Sequence, residues 1–368
     1  MSYGALRILY NNYLTQAMIT PSSQATGRIT GQVKTGSGVA VLSVTGNFAG
    51  AFDLVYTLEI DSVAGGVSVG ESTFKWKTNN TGAGWEETGI TTRTTPAYAL
   101  SADGLGTALL VAHTGGVGDD FALADTWKWY ARATYGRQRL LDLDRNTFWK
   151  STGDTSENLV IDLGSALTPT AVIIADHNFT SGATVTIEAN SSNAWGAPAY
   201  TYTFSTITDP LVLYLSQTYR YWRLVIADAS NPDTYLRIGQ LYLGDYVSLD
   251  RVNASWGSSR GDGYNLQSNI SEAGVMRRYA YTRSRTLNLT FGNTLKEADI
   301  TALLALQEAI IDLTTYRVSP FWLHLFSDSA SDLALMEWAN LAEFSREYFA
   351  YLLYSGVNLQ LTEAVKAI

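Results

Sequence analysis

The chain has 368 residues, which exceeds the size that one hydrophobic core usually supports and predicts two or three domains. Charged residues make up 16% of the sequence, below the usual level of about 25%, and Gly and Tyr are plentiful. The net charge of −9 argues against nucleic acid as a partner, because affinity for nucleic acid depends on clustered Lys and Arg. Cysteine is absent, so disulfides and thiolate metal sites are excluded.

Signals for membranes and secretion are missing from the sequence as well. No run of 18 or more apolar residues occurs, and residues 1–13 lack a basic segment followed by an apolar one. We therefore expect no membrane insertion, no signal peptide, and folding in a reducing cytoplasm.

The first strand-rich block covers residues 27–133. Apolar residues alternate with polar ones over 54–60 and again at Phe74 and Trp76, which predicts half-buried antiparallel strands. Further strand-like runs, separated by turns rich in Gly, Asn and Asp, lie at 39–44, 97–100, 109–113 and 127–132. About seven strands in about 105 residues are typical of an immunoglobulin-like β-sandwich.

A second strand-rich block follows up to residue 245. Its apolar runs lie at 159–163, 171–174, 185–187, 200–204, 211–215, 222–226 and 236–243. The spacing favours about eight short strands, as in a jelly roll.

The last block, 246–368, is the first with helical periodicity. The segment 295–313 carries Leu295, Leu303, Leu306 and Ile310 on one stripe, with Thr294 as a predicted N-cap and Glu297 as its capping-box partner. A shorter helix is predicted over 331–342. Strands are predicted around these helices at 286–291, 320–326, 349–354 and 357–361, which gives an α+β domain.

Four motifs in the middle of the chain are similar to one family. The segment YGRQRLLDLDRNTFWKS at 135–151 resembles the opening turn of a discoidin, or coagulation-factor C-type, domain, L-x-D-x-x-x-x-T-x-W. The strand NLVIDLG at 158–164 then resembles the family's strand ending in D-L-G. Later family motifs resemble YRYWRL at 219–224 and IGQLYLG at 238–244. The resemblance implies a galactose-binding-like jelly roll.

The family's first strand, I-T-x-S-S, normally lies directly before that opening turn. Here its counterpart, ITPSS at 19–23, lies more than a hundred residues upstream. We infer that the sandwich at 27–133 is inserted into a discontinuous jelly roll formed by 1–26 and 134–245, since an insertion with neighbouring ends costs little loop-closure entropy. The inserted block is similar to sandwich modules of phage tail proteins.

The last third resembles the ring-forming part of bacteriophage distal-tail and tail-tip proteins. The resemblance rests on the order RTLNLTF at 285–291, an amphipathic helix, PFWL at 320–323 and SREYF at 345–349. It implies a ring of copies of this chain, usually a hexamer, bound to other tail proteins. The location implied is the phage tail of the virion, after assembly in the host cytoplasm.

Catalytic motifs are missing from the sequence. His113, His177 and His324 lie far apart without partners at ligand spacing, and neither a G-x-S-x-G elbow nor a Walker lysine occurs. We therefore predict a protein that is not an enzyme. A pair of distant carboxylates, as in glycosidases, stays open as an alternative.

One short segment offers oxygen ligands for a cation. Asp142, Asp144, Asn146 and Thr147 are the residue types that Ca²⁺ prefers, and the resemblance implies structural calcium at this turn. The alternative is an Asx-type turn whose side chains bond one another. The family's calcium sites commonly add a carboxylate from the last strand, where this chain has the neutral Gln240, so the prediction is no cofactor, with structural Ca²⁺ as the alternative.

The resemblance also places ligands on loops at one end of the roll. Candidate glycan-binding residues there are Trp195, His177, Asn178, Arg145 and Tyr235. Trp stacks on sugar faces while Arg, His and Asn bond hydroxyls. The alternative for Trp195 is packing against a neighbouring domain or subunit, and Trp149 and Trp222 fit a core pattern.

Arginines concentrate at the start of the last block although the chain is acidic. They are the candidate assembly residues Arg251, Arg260, Arg277, Arg278, Arg283 and Arg285. Such a basic arm matches an acidic surface of the next subunit. The alternative is a solvated loop, because exposed ion pairs contribute only about 0–1 kcal/mol each.

The leading hypothesis is therefore a non-enzymatic structural component of a bacteriophage tail tip, whose peripheral β-sandwich domains contact host-surface glycans. The alternative is a carbohydrate-binding adhesin or tail-fibre-associated module, in which binding sugar is the main role.

Overall fold

The computed structural model is a mainly β protein, as predicted. It describes residues 6–25, 27–46, 48, 53–79, 84–100, 109–116, 119–249, 259–270, 276–295, 297–312, 317–325, 333–339, 347–348, 355–364 and 366–367. Within these ranges, the residues described for the backbone only are 28, 46, 262–270, 276–284, 292–295, 297, 312, 317, 347–348, 355–358 and 366–367. The chain forms two compact units: unit 1 comprises Met1–Ser22, Arg139–Phe148 and Gly153–Ile368, and unit 2 comprises Ser23–Gln138 and Trp149–Thr152.

The strands are numbered in chain order. Those of the first half are β1 Arg7–Asn12, β2 Ile19–Pro21, β3 Arg28–Thr35, β4 Val41–Gly46, β5 Leu54–Ser62, β6 Thr73–Thr78, β7 Glu87–Thr91, β8 Tyr98–Leu100, β9 Leu109–Thr114 and β10 Thr126–Arg132. The next are β11 Trp149–Lys150, β12 Glu157–Leu167, β13 Ala171–Ala175, β14 Thr184–Asn190, β15 Tyr200–Thr203, β16 Leu211–Tyr214, β17 Tyr219–Ala227, β18 Arg237–Ile238 and β19 Gln240–Ser248.

The last third of the chain holds further strands and a helix. The strands are β20 Ser259–Ile270, β21 Met276–Leu295, β22 Ile311–Asp312, β23 Arg317–Val318, β24 Phe321–His324, β25 Leu333–Trp338, β26 Glu347–Tyr348, β27 Ser355–Glu363 and β28 Lys366–Ala367. The helix α1 spans Glu297–Ile310, and short 3-10 turns lie at Gln16–Met18 and Arg137–Leu140. Among the described residues, no helix is long and apolar enough to cross a membrane.

Unit 2 is a β-sandwich with an aromatic core. A five-stranded sheet, β3-β10-β5-β6-β7, faces a three-stranded sheet, β4-β9-β8, and one cluster of buried residues joins them. Tyr56 stacks between the rings of Trp76 and Trp129, with centroids 6.0 and 5.4 Å away. The predicted strands of this block are therefore confirmed, while the immunoglobulin-like assignment stays a prediction.

Unit 1 contains a second sandwich, which we call the jelly roll. The five-stranded sheet β15-β14-β17-β12-β2 faces β16, β13 and β19, which belong to a larger sheet. Ile161 and Ile187 of the first sheet and Val172 and Leu241 of the second line one small internal cavity of about 10 Å³. The apolar residues that alternate along each strand thus meet in one core, as expected for half-buried strands. The three-domain division of the chain stays a prediction.

The larger sheet has eleven strands and continues from the jelly roll into the last third of the chain. Its order is β16-β13-β19-β1-β24-β25-β27-β21-β20, with β26 and β28 paired to β27 and β21. The N-terminal strand β1 lies at the junction, between β19 and β24. The jelly roll is therefore joined to the C-terminal strands by backbone hydrogen bonds.

The long predicted helix is confirmed as α1. Ile300, Leu303, Leu306 and Ile310 form its buried stripe and pack in the cluster that contains the C-terminal strands. The helix begins at Glu297, so Thr294, predicted as the N-cap, and Leu295, predicted on the apolar stripe, lie in β21 instead. The predicted boundary was therefore early, a common uncertainty at helix ends.

The shorter helix predicted over 331–342 is wrong, because Leu333–Trp338 forms strand β25. This strand lies between β24 and β27, and five of its six residues are buried. Burial on both faces removes the alternation that marks a strand, and Leu, Ala, Met and Glu favour helix locally. Pairing within the sheet overrides that local preference. The strand predicted at 349–354 lies outside the described residues.

The buried side chain of His113 makes the stability of unit 2 depend on pH. The side chain is fully buried between the rings of Phe74, Phe121 and Trp127, and burial lowers the pKa of His113 to about 4. Below pH 6.5 the unfolded chain binds a proton that the folded chain rejects, so the free energy of unfolding falls as the pH drops towards 4, by about 3 kcal/mol at most.

We expect His113→Phe to lose less stability than the parent between pH 7.5 and pH 4.5, because Phe keeps the ring and has no proton to bind. Thermal unfolding followed by circular dichroism at both pH values measures this. An equal fall of Tm in both proteins would show that His113 is not the acid-sensitive group.

Candidate ligand-binding surfaces

The loops at one end of the jelly roll bind one another closely. The backbone N–H of Asp176 donates to Asp209 Oδ1 at 2.8 Å, and the backbone N–H and hydroxyl of Thr180 donate to the carboxylate of Asp228 at 2.8 and 2.6 Å. These bonds tie together the loops that follow β13, β15 and β17. Most polar groups at this end are therefore hydrogen-bonded to one another.

His177 takes part in this network rather than facing solvent. It is 9% exposed, its Nδ1 accepts the backbone N–H of Phe179 at 3.2 Å, and its Nε2 lies 3.0 Å from the carbonyl oxygen of Thr208. Because Nδ1 accepts, Nε2 carries the proton and donates to Thr208. The ring also stacks on Phe179 with centroids 4.2 Å apart. Both nitrogens are therefore already bonded.

Asn178 and Tyr235 lie together, and the hydrogen bonds of Asn178 are internal. The amide of Asn178 donates to the carbonyl oxygen of Tyr235 at 2.9 Å and to Asp233 at 3.0 Å. Its Oδ1 accepts the backbone N–H of Arg237 at 2.8 Å. Asn178 therefore fixes the loop 228–236 against the loop after β13.

Arg145 holds the loop end to the C-terminal strands. Its guanidinium bonds both carboxylate oxygens of Asp176 at 3.1 Å, and its Nη1 lies 3.0 Å from Glu363 in β27. The side chain is 20% exposed. A bidentate, partly buried ion pair of this kind fixes geometry and leaves few donors for a ligand.

Trp195 lies away from the other four predicted glycan residues. Its loop, 191–199, follows β14, whereas His177 and Asn178 precede that strand. The seven residues of β14 separate the two loops by about 20 Å along the strand. The structure therefore brings Arg145, His177, Asn178 and Tyr235 together and leaves Trp195 apart.

The Trp195 indole forms a different kind of surface. Arg223 Cζ lies 4.6 Å from the centroid of its ring, and the indole N–H donates to Asn193 Oδ1 at 2.7 Å. Arg223 in turn is bonded through its Nε to Glu188 on the neighbouring strand at 2.7 Å. Trp195 is half-buried, so part of the ring stays open to solvent. We call Trp195, Arg223, Glu188 and Asn190 the indole surface.

Sequence analysis did not find Arg223 and Glu188. Both lie at outward positions of strands, Glu188 opposite Arg223 in the pairing of β14 with β17. In sequence they are ordinary polar members of alternating strands. Their proximity to Trp195 depends on how β14 pairs with β17. The alternation at 222–226 is the only part of this arrangement that the local sequence indicates.

The predicted cation turn is filled by its own hydrogen bonds. The hydroxyl of Thr147 donates to Asp142 Oδ2 at 2.6 Å, and the backbone N–H of Asn146 donates to Asp144 Oδ1 at 2.9 Å. Leu143 has a φ of 57°, as tight turns often require. This is the Asx-type turn that the sequence left open as the alternative.

Gln240 completes the turn from β19. Its Nε2 donates to Asp142 Oδ1 at 3.3 Å and to the carbonyl oxygen of Asp144 at 3.2 Å, while its Oε1 accepts the N–H of Leu143 at 3.2 Å. These partners fix the orientation of the amide. An N–H donor thus points at the oxygens that a cation needs, so the residues present do not fit Ca²⁺. No group of three or more acidic or His residues suited to a metal occurs among the described residues.

The predicted assembly arginines belong mostly to one hairpin. Arg260 lies in β20 and is exposed, and Arg285 lies in β21 with its Nε 3.7 Å from Glu363. Arg277, Arg278 and Arg283 lie on β21, where only the backbone is described, and Arg251 lies outside the described residues. The hairpin therefore gathers five of the six arginines, and their role stays a prediction.

Comparisons with known proteins give partial structural similarities only. No protein-family model matches the chain, and no curated protein matches it. A Ruminococcus gnavus GH29 fucosidase in complex with fucose is similar with a TM-score of 0.27 and 15% identity over 32% of this chain and 23% of the fucosidase.

Two similar structures are binding modules for carbohydrates. Chitosan-binding module 1 of a chitosanase/glucanase from Paenibacillus sp. IK-5 has a TM-score of 0.24 and 22% identity over 30% of this chain and 86% of the module. A Streptococcus pneumoniae fucose binding module has a TM-score of 0.25 and 14% identity over 30% of this chain and 85% of the module. At these scores the similarity carries no argument about function.

Replacing the bridging amide tests the cation turn. We expect Gln240→Glu to lose about 1–3 kcal/mol of stability without calcium, because the carboxylate removes two donors and faces Asp142. Adding Ca²⁺ is expected to restore much of the Tm of Gln240→Glu and to leave the Tm of the parent unchanged. A calcium-dependent rise of the parent's Tm would contradict the hydrogen-bonded turn.

Proposed function

We propose that the protein is a non-enzymatic carbohydrate-binding protein and that the indole surface of the jelly roll contacts the sugar. The observation that carries the proposal is the half-buried Trp195 ring resting against Arg223. An aromatic ring fixed in this way presents a rigid apolar face at low entropic cost, which suits the apolar face of a sugar ring.

The polar groups beside the ring suit hydroxyl recognition. Glu188 and Arg223 hold one another in place, and the amide of Asn190 donates to the carbonyl oxygen of Ala194 at 2.7 Å. Acceptors of Glu188 and donors of Arg223 therefore lie next to an apolar ring in fixed positions. A few oriented polar groups around an aromatic surface are typical of small-ligand sites.

The loop end of the jelly roll is a weaker candidate for the same function. His177, Asn178 and Arg145 already bond protein partners through their polar atoms. A ligand would have to replace those bonds, and leaving a buried polar group without a partner costs about 1–3 kcal/mol. The polar groups of the indole surface are also paired, but that surface adds an aromatic ring that is partly open to solvent, so we propose it ahead of the loops.

Glycan binding by the full chain and by Trp195→Ala tests this proposal. The expected result is that the parent binds at least one neutral glycan on an array and that Trp195→Ala weakens that binding about tenfold in calorimetry. Tyr202→Ala, which removes a 36% exposed aromatic side chain from the same sandwich, is the matched control and is expected to bind like the parent. A parent without glycan binding, or an unaffected Trp195→Ala, sinks the proposal.

A second proposed role is assembly in a bacteriophage tail tip, as a distal-tail-like ring protein. It is favoured by the hairpin of β20 and β21. The twenty-residue strand β21 pairs with β27 only between Thr286 and Leu295, so its first half extends with β20 beyond that strand. Among the described strands β20 is the last of the sheet, and long edge strands are templates for pairing with another chain.

The charge of this hairpin supports a partner that is a second copy. β20 and β21 contain five arginines and one acidic residue, Asp262, in a chain with a net charge of −9. A basic hairpin is complementary to the acidic remainder of another copy. The proposal therefore includes a ring of copies, hexameric by resemblance, neighbouring tail proteins, and a place in the virion after assembly in the host cytoplasm.

Particle size tests the assembly role. We expect the parent to form an oligomer in light scattering at high concentration, and Arg277→Glu with Arg278→Glu and Arg283→Glu to shift it to monomer. Arg220→Glu, which changes an exposed arginine of the jelly roll, is expected to leave the size unchanged. A parent that stays monomeric at every concentration and is missing from purified virions rules the ring out.

A further inference from the structure

Unit 2 presents a polar sheet face that the proposed functions do not use. In β5, β6 and β10 every second residue is buried, so the residues between them point outward on one face of the five-stranded sheet. The outward residues include Lys75 and Lys77 of β6 and Lys128 of β10. The fold therefore gathers three lysines on one side of unit 2.

The register fixes the spacing of these lysines. Lys128 lies opposite Thr57 of β5, and Thr57 lies opposite Lys77 of β6, so Lys128, Thr57 and Lys77 form one row across the sheet. Two strand spacings separate Lys77 from Lys128 by about 10 Å, and Lys75 lies about 7 Å along β6 from Lys77. The ammonium groups are thus spread over a flat area instead of converging on one small ion.

Only one of the three lysines is neutralised within the described part of the chain. Lys75 Nζ lies 2.9 Å from Glu59 Oε1, on the neighbouring strand. Among the described residues, no carboxylate lies within ion-pair distance of Lys77 or Lys128. Asp61, also at an outward position of β5, bonds the hydroxyl of Thr73 and the backbone N–H of Gly89. The three lysines therefore exceed the two carboxylates beside them, and this face carries a small net positive charge although the chain as a whole has a charge of −9.

An indole lies on the same lysines. Lys75 Nζ and Lys77 Nζ lie 4.4 and 4.7 Å from the centroid of the Trp85 ring, which is half-buried. Two cations on one ring hold the indole in place through cation–π attraction. The hairpin between β6 and β7 thus sets an aromatic ring beside the positive row.

Aromatic and apolar surface continues on the other side of Lys128. Tyr130, two residues along β10, is 47% exposed, and Val33, opposite Lys128 on β3, is 60% exposed. We call Trp85, Lys75, Lys77, Lys128 and Tyr130 the basic aromatic face. It combines rings for stacking with separated positive charges on a flat surface.

We infer that the basic aromatic face binds an acidic polysaccharide, with Trp85 and Tyr130 contacting sugar rings and Lys77 and Lys128 pairing with carboxylates along the chain. Charge complementarity selects an anionic ligand, and the separation of the lysines selects an extended one with repeated acidic groups. Duplex DNA is the other class of polyanion, and its binding is an outcome that contradicts the inference in the experiment below.

Affinity electrophoresis and calorimetry of the full chain with polygalacturonate test the inference, with dextran as the neutral polymer. The expected result is binding to polygalacturonate that weakens when the ionic strength rises from about 0.05 M to about 0.5 M. Lys77→Gln combined with Lys128→Gln is expected to weaken this binding about tenfold or more, since it removes two charge-assisted contacts. Trp85→Ala is expected to weaken it as well.

The matched control removes the same charge elsewhere. Arg220→Gln combined with Arg139→Gln changes two partly exposed arginines of unit 1 that lie outside the proposed binding and assembly surfaces, and it is expected to bind polygalacturonate like the parent. All variants change exposed or half-buried side chains, and unchanged Tm values establish that they fold.

Several results would overturn the inference. They are a parent that does not bind polygalacturonate, equal binding of dextran or of duplex DNA, an unaffected lysine variant, or an equal loss in the arginine control. Trp195→Ala separates this site from the proposed glycan site: it is expected to leave polygalacturonate binding unchanged, and a matching loss there would assign the acidic polymer to the jelly roll.

Discussion

The architecture of unit 1 depends on the six residues of β1. The strand pairs with β19 through Arg7 and Ser248 on one side and with β24 through Arg7 and His324 on the other. Its side chains divide between the two faces of the sheet, because Ile8 packs in the cluster that contains α1 and Leu9 packs in the cluster that contains β13. Without β1 the jelly roll and the C-terminal strands would each present an unpaired edge. More than 200 residues separate β1 from these partners, so its docking is a long-range and entropically costly step.

Side chains reinforce this junction with aromatic and ionic contacts. The guanidinium of Arg7 lies 3.7 Å from the ring centroid of Tyr214 and 4.5 Å from that of Tyr246. Burial raises the pKa of Tyr214 to about 12, and its hydroxyl is hydrogen-bonded to Nδ1 of His324 at 2.6 Å. These bonds connect β16 and β19 of the jelly roll to β24, as Arg145 connects the loop end to β27. Arg145, which was predicted as part of a sugar-binding rim, therefore also stabilises the fold of unit 1.

The sequence predicted best those elements whose burial is one-sided. Strands such as β5 and β10 alternate because one face is buried and the other is wet, and α1 shows its stripe for the same reason. β3 has no comparable pattern, because none of its described side chains is buried, and β25 has none because nearly all of its side chains are. Apolar residues recur periodically only where one face of an element is buried and the other is exposed. Strands that are exposed on both faces or buried on both faces are therefore not predicted from periodicity.

The side chains of the candidate site were also only partly predictable from the sequence. The resemblance to discoidin domains predicted one glycan-binding rim of Arg145, His177, Asn178, Tyr235 and Trp195. Composition could not tell whether the polar atoms of these residues face a ligand or each other, and their role in glycan binding stays a prediction. That choice depends on distances between loops far apart in sequence, as between Asn178 and Tyr235. Trp195 was predicted beside them because a Trp side chain suits sugar binding. In the structure its loop follows β14, whereas His177 and Asn178 precede that strand, so Trp195 lies at the other end of β14.

The two proposed binding surfaces share a construction that explains why they lie on sheet faces. Trp195 rests against Arg223, and Trp85 rests against Lys75 and Lys77, so each indole is held by cations that project from a paired strand. A strand fixes the positions of such cations through its backbone ladder, although Arg223 and Lys75 also pair with Glu188 and Glu59. Loop residues must use their polar atoms to hold the loop itself, as His177 and Asn178 do. On the sheets the position of each indole depends on strand register and cation–π contact, so part of each ring stays open to a ligand.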